Sequence, residues 1–301
     1  MNKLLEAFNS GTVEQQARRR KGMLIIAATS ALLILATLVL IVGLIVSLAA
    51  GDSDPNGDPT IQDDTHYVKG SFDPDYLVEG NLLLLDDDHP YEGDADVVKF
   101  SNHSSRPKNE ERKNIYTLRD SSNFGGTEET VIALHALIKG YYDQSDNDDN
   151  LIVDQAFASN LSEQIDPIFS MGTTVSLTYY ADYSEDKDPT EEPSIQGVAK
   201  YKWIYDHAHE YGFIIVEDNI FRYVGIPHAA YMKQNNLSLT QYLDKLRSTS
   251  YEKSLVITAE NETYRTYYIS ETAEDKMVPA DLDWTVSGDN LGGYIITFKP
   301  E

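Results

Sequence analysis

Seven histidines, 49 acidic residues and no cysteine set the chemistry open to this chain. Without cysteine there is no thiolate nucleophile, no disulfide and no Cys-based zinc site. A catalytic zinc takes three protein ligands and leaves one position open for water, so histidine spacing is the next question. His207 and His209 lie two apart on an expected helix, face different ways and do not chelate one ion. His135 falls between apolar residues of another expected helix and reads as structural. Residues Asp143 to Asp154 place Asp143, Ser145, Asn147 and Asp149 at alternate positions, as a calcium loop does. The turn position six is Asp148 instead of Gly and position twelve is Asp154 instead of Glu, which rejects an EF-hand. Gly125 and Gly292-Gly293 are turn glycines, not a phosphate loop, and Ser170 and Ser176 lack a recognisable His and Asp arrangement.

The elements that must position these groups are mixed. Thr127 caps an expected helix with Val131, Ile132, Leu134, Leu137, Ile138 and Tyr141 on its buried side. Leu151–Phe157 and Thr173–Tyr180 read as strands, and Val198–Tyr211 as a helix closed by Gly212. Strands follow at Phe213–Val216 and Ile220–Val224, a helix capped by Ser238 spans Leu239–Leu246, and late strands cover Leu255–Ala259, Tyr264–Ile269 and Tyr294–Phe298. Residues 101–123 and 182–193 are polar and read as loops. The order predicts an α+β fold with a small central antiparallel sheet flanked by helices.

Phe221-Arg222-Tyr223-Val224-Gly225 follows the helix ending in Tyr211-Gly212-Phe213-Ile214 and precedes Pro227-His228-Ala229-Ala230-Tyr231-Met232 and Leu237–Leu243. This order resembles the C-terminal half of the VanY-like D-alanyl-D-alanine carboxypeptidases, zinc peptidases that trim cell-wall stem peptides. That family's tract reads Glu-Pro-Trp-His-Phe-Arg-Tyr-Val-Gly, with its Glu as general base and its His as a zinc ligand. The resemblance makes Glu217 a vestigial base and puts Ile220, which has no lone pair, at the ligand position. The family's Ser-x-His-x-x-Gly-x-Ala-x-Asp is best matched by residues 173–182, with Val175 at the His ligand and Asp182 at the Asp ligand. Its Tyr-Arg-Ser is matched by Phe157-Ala158-Ser159, so Ala158 replaces the Arg that grips the peptide carboxylate, and Gln164 keeps the following Gln. Leu82–Pro90 resembles the family's N-terminal strand with its His-Pro, His228 stands where the family places a packing or capping His, and residues 251–301 resemble an extension of some Gram-positive members. Coverage runs over about residues 75–301. The resemblance implies an ancestral cleft lined by Gln164, Asp182, Glu217 and Arg222, with no functional catalytic residue, metal or cofactor. The domain would then be an inactive binding or scaffold module for a stem peptide or an envelope protein. The alternative is an active carboxypeptidase with zinc, and a third reading is a structural subunit of an envelope complex.

Residues 23–50 are an uncharged apolar run, longer than the roughly 20 residues a spanning helix needs. A cleaved signal peptide ending at Ala49-Ala50 is the other reading of that run. Arg18, Arg19, Arg20 and Lys21 precede it and Asp52, Asp54 and Asp58 follow, which predicts a single-pass membrane protein with a cytoplasmic tail at 1–22 and an extracytoplasmic domain. Residues 51–74 read as an acidic linker, 75–250 as the carboxypeptidase-like domain and 251–301 as a β-rich extension packed on it. With 49 acidic against 24 basic residues, the chain carries a net charge of −25, which argues against nucleic-acid binding. Membrane, stem peptide and envelope protein are the partners this reading expects.

Overall fold

The computed structural model describes residues 65–300 apart from 92, 94, 159–165 and 181–193. In chain order it contains β1 (Tyr67–Lys69), β2 (Val98–Lys99), β3 (Thr117–Leu118), β4 (Phe124–Gly126), α1 (Glu128–Gln144), β5 (Leu151–Gln155), β6 (Phe157–Ala158) and β7 (Thr174–Tyr179). It continues with α2 (Lys202–His207), β8 (Phe213–Glu217), β9 (Ile220–Tyr223), α3 (Ile226–Asn235), α4 (Leu239–Leu246), β10 (Leu255–Ala259), β11 (Glu262–Ser270), β12 (Met277–Pro279), β13 (Trp284–Gly288) and β14 (Gly293–Phe298).

The central sheet has the order β3-β5-β7-β9-β8. It is mixed rather than wholly antiparallel, because the short β3 runs parallel to β5. Thr127 caps α1 by accepting from the Thr130 amide at 3.3 Å, as expected from its position before the apolar stripe. Val131, Leu134, Leu137, Ile138 and Tyr141 of that stripe pack on Val153, Val175, Leu177, Phe213 and Phe221 from one face of the sheet, while Ile132, expected with them, is 46% exposed because it lies one step round the helix from that face. The helix expected over 198–211 is broken into a 3-10 turn at Ala199–Tyr201, α2, and a second 3-10 turn at Ala208–Tyr211. Gly212 closes it with φ +83°, where a Cβ would sit 2.6 Å from the Tyr223 ring.

Two further differences reshape the outline. Leu82–Leu85 is not a strand. It is a strap held by hydrogen bonds from Leu82 N to Ser287 Oγ at 2.9 Å and from Asn290 Nδ2 to Leu84 O at 3.2 Å. Its aliphatic side chains alternate between two cores, with Leu82 in one cluster and Leu83 and Leu85 in another. The end of the expected acidic linker is also folded: β1 pairs with β12, and Tyr67 packs 5.2 Å from Tyr251 between ring centroids. The C-terminal sheet, β10-β11-β14-β13, shares a hydrophobic cluster with α3 and α4 through Leu255, Ile257 and Ile295. Residue 250 is therefore no break in packing.

The expected membrane location needs correction. Among the described residues no helix is long and apolar enough to cross a membrane, and residues 23–50 lie outside the described residues. The single-pass reading is not carried further.

The join between α3, α4 and the C-terminal sheet is a buried polar chain. Tyr242 Oη lies 2.7 Å from His228 Nδ1, His228 Nε2 lies 3.3 Å from Thr297 Oγ1, and Thr297 donates to Thr266 Oγ1 at 3.0 Å. Burial holds the His228 imidazole down at about 4. An unfolded histidine titrates near 6.5, so below that pH the unfolded chain takes up a proton that the fold refuses. Stability is then complete above about pH 6.5 and falls as pH drops toward 4, by up to about 1.4 kcal/mol per pH unit. Urea midpoints at pH 7.5 and pH 5 should show this loss, and His228→Asn, less stable at pH 7.5, should lose less on acidification. Equal losses in both proteins would remove His228 as the cause.

Candidate functional site

The strand pairings fix which residues share a face, since directly opposed residues point the same way. Val175 opposes Phe221, while Ser176 opposes Ile220. Val175 is fully buried in the core under α1, so Val175 and Ile220 lie on opposite faces of the sheet. They are not brought together. Ile220 is instead flanked by Ser176 on β7 and by Glu217 on β8, and Ser176 in turn opposes Gln155 on β5. Gln155, Ser176, Ile220 and Glu217 thus make one row across four strands. Glu217 and Gln155 are exposed at its ends, and Ser176 is buried inside it.

The hairpin that carries Glu217 turns through Asp218 and Asn219 and is pinned from outside. Asn219 O accepts from Leu177 N at 2.9 Å, and Asn219 Oδ1 accepts from Ser194 Oγ at 2.8 Å and from Ile195 N at 3.1 Å. Tyr205 donates its hydroxyl to Asp218 O.

Arg222 lies one pleat along, opposite Thr174 and on the same face as Ser176. It is 2% exposed, donates Nη2 to Leu83 O, and leaves Nε without a partner. Burial lowers its guanidinium to about 10, still charged at neutral pH. Ala158 is buried on β6 opposite Phe124, in the core under α1. Gln164 and Asp182 lie outside the described residues. His207 stacks on Trp203 with ring centroids 4.3 Å apart, and His135 and His228 are enclosed in hydrogen-bond chains.

No protein-family model matches the chain. A D-alanyl-D-alanine carboxypeptidase of Enterococcus faecium is 28% identical over 253 residues, 74% of this chain and 77% of that protein. The chain is a homologue of that carboxypeptidase. The crystal structure of the vancomycin resistance D,D-dipeptidase VanXYg, in complex with a D-Ala-D-Ala phosphinate analogue, shares the fold. Its TM-score is 0.55 at 17% identity, over 78% of this chain and 98% of that one. VanYB in complex with D-alanine-D-alanine gives a TM-score of 0.33 at 14% identity, over 55% of this chain and 97% of that one.

A VanY-like carboxypeptidase implies zinc, and the geometry gives a sharper test of fit than the sequence. Gly172 has φ +77°, and a Cβ there would sit 2.8 Å from Val97 Cγ1 and 3.2 Å from the Thr127 amide, so the position demands glycine. The family's His-x-x-Gly-x-Ala-x-Asp, set with its Gly on Gly172, puts Phe169 at the His, Thr174 at the Ala and Ser176 at the Asp. This register seats two of the three ligand positions, Ser176 and Ile220, side by side next to Glu217, whereas Val175 lies on the other face of the sheet. Phe169 and Ile220 have no lone pair to give, and a neutral serine hydroxyl is not among the usual zinc ligands. These residues do not fit zinc. The Asp at 182 draws the sequence match by identity, while Gly172 is the signal for the alternative positions Phe169 and Ser176.

The two registers make different predictions for rebuilt sites. Phe169→His with Ser176→Asp and Ile220→His should take up Co²⁺ with the visible absorption of a four-coordinate site. Val175→His with Ile220→His, whose imidazoles leave opposite faces, should not. Equal uptake by both variants, or uptake by the second alone, would overturn the Gly172 register.

Proposed function

We propose that the chain is a catalytically inactive relative of the D-alanyl-D-alanine carboxypeptidases that acts as a binding or scaffold module at the cell wall. The supporting observation is the row itself. Ile220 and Ser176 are neighbours beside Glu217, and on the Gly172 register they stand at two of the family's ligand positions, which would leave Glu217 no metal-bound water to deprotonate. Catalytic zinc makes hydroxide available near neutral pH by lowering the pKa of its water to about 7, and without it the base has no substrate. The occupant of the cleft would be a stem peptide or an envelope protein.

A second reading is an active carboxypeptidase. It is favoured by the name of the homologue, which matches over 74% of this chain, and by the retention of Glu217.

Incubation of the protein with a pentapeptide stem ending in D-Ala-D-Ala, with and without added Zn²⁺, should release no D-alanine. Glu217→Gln should behave as the parent does in this assay, releasing no D-alanine. Release of D-alanine that disappears in Glu217→Gln would replace the first reading with the second.

A further inference from the structure

Away from the sheet row, four side chains form one hydrogen-bonded chain, with a carboxylate 3.9 Å beyond its outer end. Tyr116 Oη lies 2.7 Å from His135 Nε2, and His135 Nδ1 lies 2.7 Å from Ser105 Oγ. Ser105 Oγ lies 2.7 Å from His103 Nδ1, and His103 Nε2 lies 3.9 Å from Glu128 Oε1. The Ser105 backbone amide also meets His103 Nδ1, at 3.2 Å.

That last contact settles where the protons are. A backbone N–H only donates, so His103 Nδ1 is bare and the ring proton sits on Nε2, toward Glu128. Ser105 has one hydroxyl proton. If it went to His135, two lone pairs would face each other over the 2.7 Å between Oγ and His103 Nδ1. The hydroxyl therefore donates to His103, His135 donates Nδ1–H to Oγ, and Tyr116 donates its hydroxyl to His135 Nε2. Burial agrees with this order. It holds the His135 imidazole neutral, down at about 3, and pushes the Tyr116 phenol up.

The outcome is a serine hydroxyl that gives its proton to an unprotonated imidazole, whose other N–H faces a carboxylate. This is the relation an activated serine nucleophile needs. His135 adds a donor to Oγ that steadies the oxygen as its proton leaves. Arg106, the next residue, has its guanidinium 4.9 Å above the Tyr116 ring and a buried Nε with no partner among the described residues. It brings a fixed positive charge to the same cluster. Ser105 and His103 are half-buried rather than sealed, and Glu128 is exposed.

We propose that Ser105 is a nucleophile, activated by His103 and oriented by Glu128, that accepts an acyl or phosphonyl group from a small activated ester. The Oγ–C bond forms as the Oγ proton passes to His103 Nδ1. The ester C–O bond then breaks, and His103 returns that proton to the leaving alkoxide. Water, deprotonated by the same nitrogen, later cleaves the acyl-serine. The site uses none of Gln155, Ser176, Ile220 or Glu217, so it stands or falls separately from the binding reading above.

The test is labelling of the full chain with a small alkyl fluorophosphonate, followed by peptide mass mapping. Oγ–P forms, P–F breaks, the proton goes to His103 and fluoride leaves. Label should appear on Ser105 at a rate about tenfold or more above that of the urea-unfolded chain, and should vanish from that peptide in Ser105→Ala. His103→Gln should slow it by about tenfold or more, and Glu128→Gln, a surface change that leaves the core untouched, by a smaller factor. Labelling of Ser105 no faster than in the unfolded chain, or unchanged in both His103→Gln and Glu128→Gln, overturns the proposal.

Discussion

Arg222 holds a full positive charge in the middle of the fold with no carboxylate against it among the described residues. Removing an unpaired ion from water costs on the order of several kcal/mol even after relaxation. Burial lowers its guanidinium only to about 10, so the charge stays at neutral pH. What offsets it is the carbonyl of Leu83, on the strap that crosses this face of the sheet. The strap in turn hangs on Ser287 and Asn290 of the C-terminal sheet. One buried cation therefore ties the central sheet to a segment 139 residues away in sequence and, through it, to the C-terminal strands. Leu83 and Leu85 of this strap pack with Met171 in a small buried cluster.

That packing bears on what the cleft can do. Of the residues on this face, Thr174 and Arg222 are sealed, while Ile220 is half-buried and Glu217 and Gln155 are exposed. Access is confined to the outer row. A ligand there meets an isoleucine flanked by one carboxylate and one amide, a surface of contact with little charge selectivity. Such a surface suits a partner that contributes its own area and shape, because burial of apolar atoms is non-directional.

Local features were legible in the sequence and non-local ones were not. The Thr127 cap, the Gly212 stop and the Ser238 capping box are each set by a few neighbouring residues, and all three are found where expected. The Phe221–Tyr223 strand was readable for the same reason. The pairing of β7 with β9 is different, because it brings together residues more than forty positions apart and depends on a turn at Asn219 tied to Ser194 and Ile195. A strand has a side-chain period of two, so an error of one position moves a residue to the other face. The family register puts Val175 and Ile220 at ligand positions of one site, whereas Val175 faces Phe221 on the other side of the sheet. The Leu82–Leu85 run resembles the family's N-terminal strand, but a run of four leucines does not say whether its partners are strand backbones or side chains.

The two buried polar chains show why one carries chemistry and the other does not. In both, a neutral histidine accepts a phenol proton on one nitrogen and donates from the other, and in both burial keeps the ring uncharged. The His228 chain ends on Thr297 and Thr266 inside the protein. Its last hydroxyl has no base to take a proton, so moving one would strand a charge in a low-dielectric interior. Its role is to fasten α3 and α4 to the C-terminal sheet. The His135 chain runs outward instead. It passes its order through Ser105 to a second imidazole, and that ring faces an exposed carboxylate that can stabilise an imidazolium. The difference is not in the residue types, which are nearly the same. It lies in whether the chain terminates where a developing charge can be met.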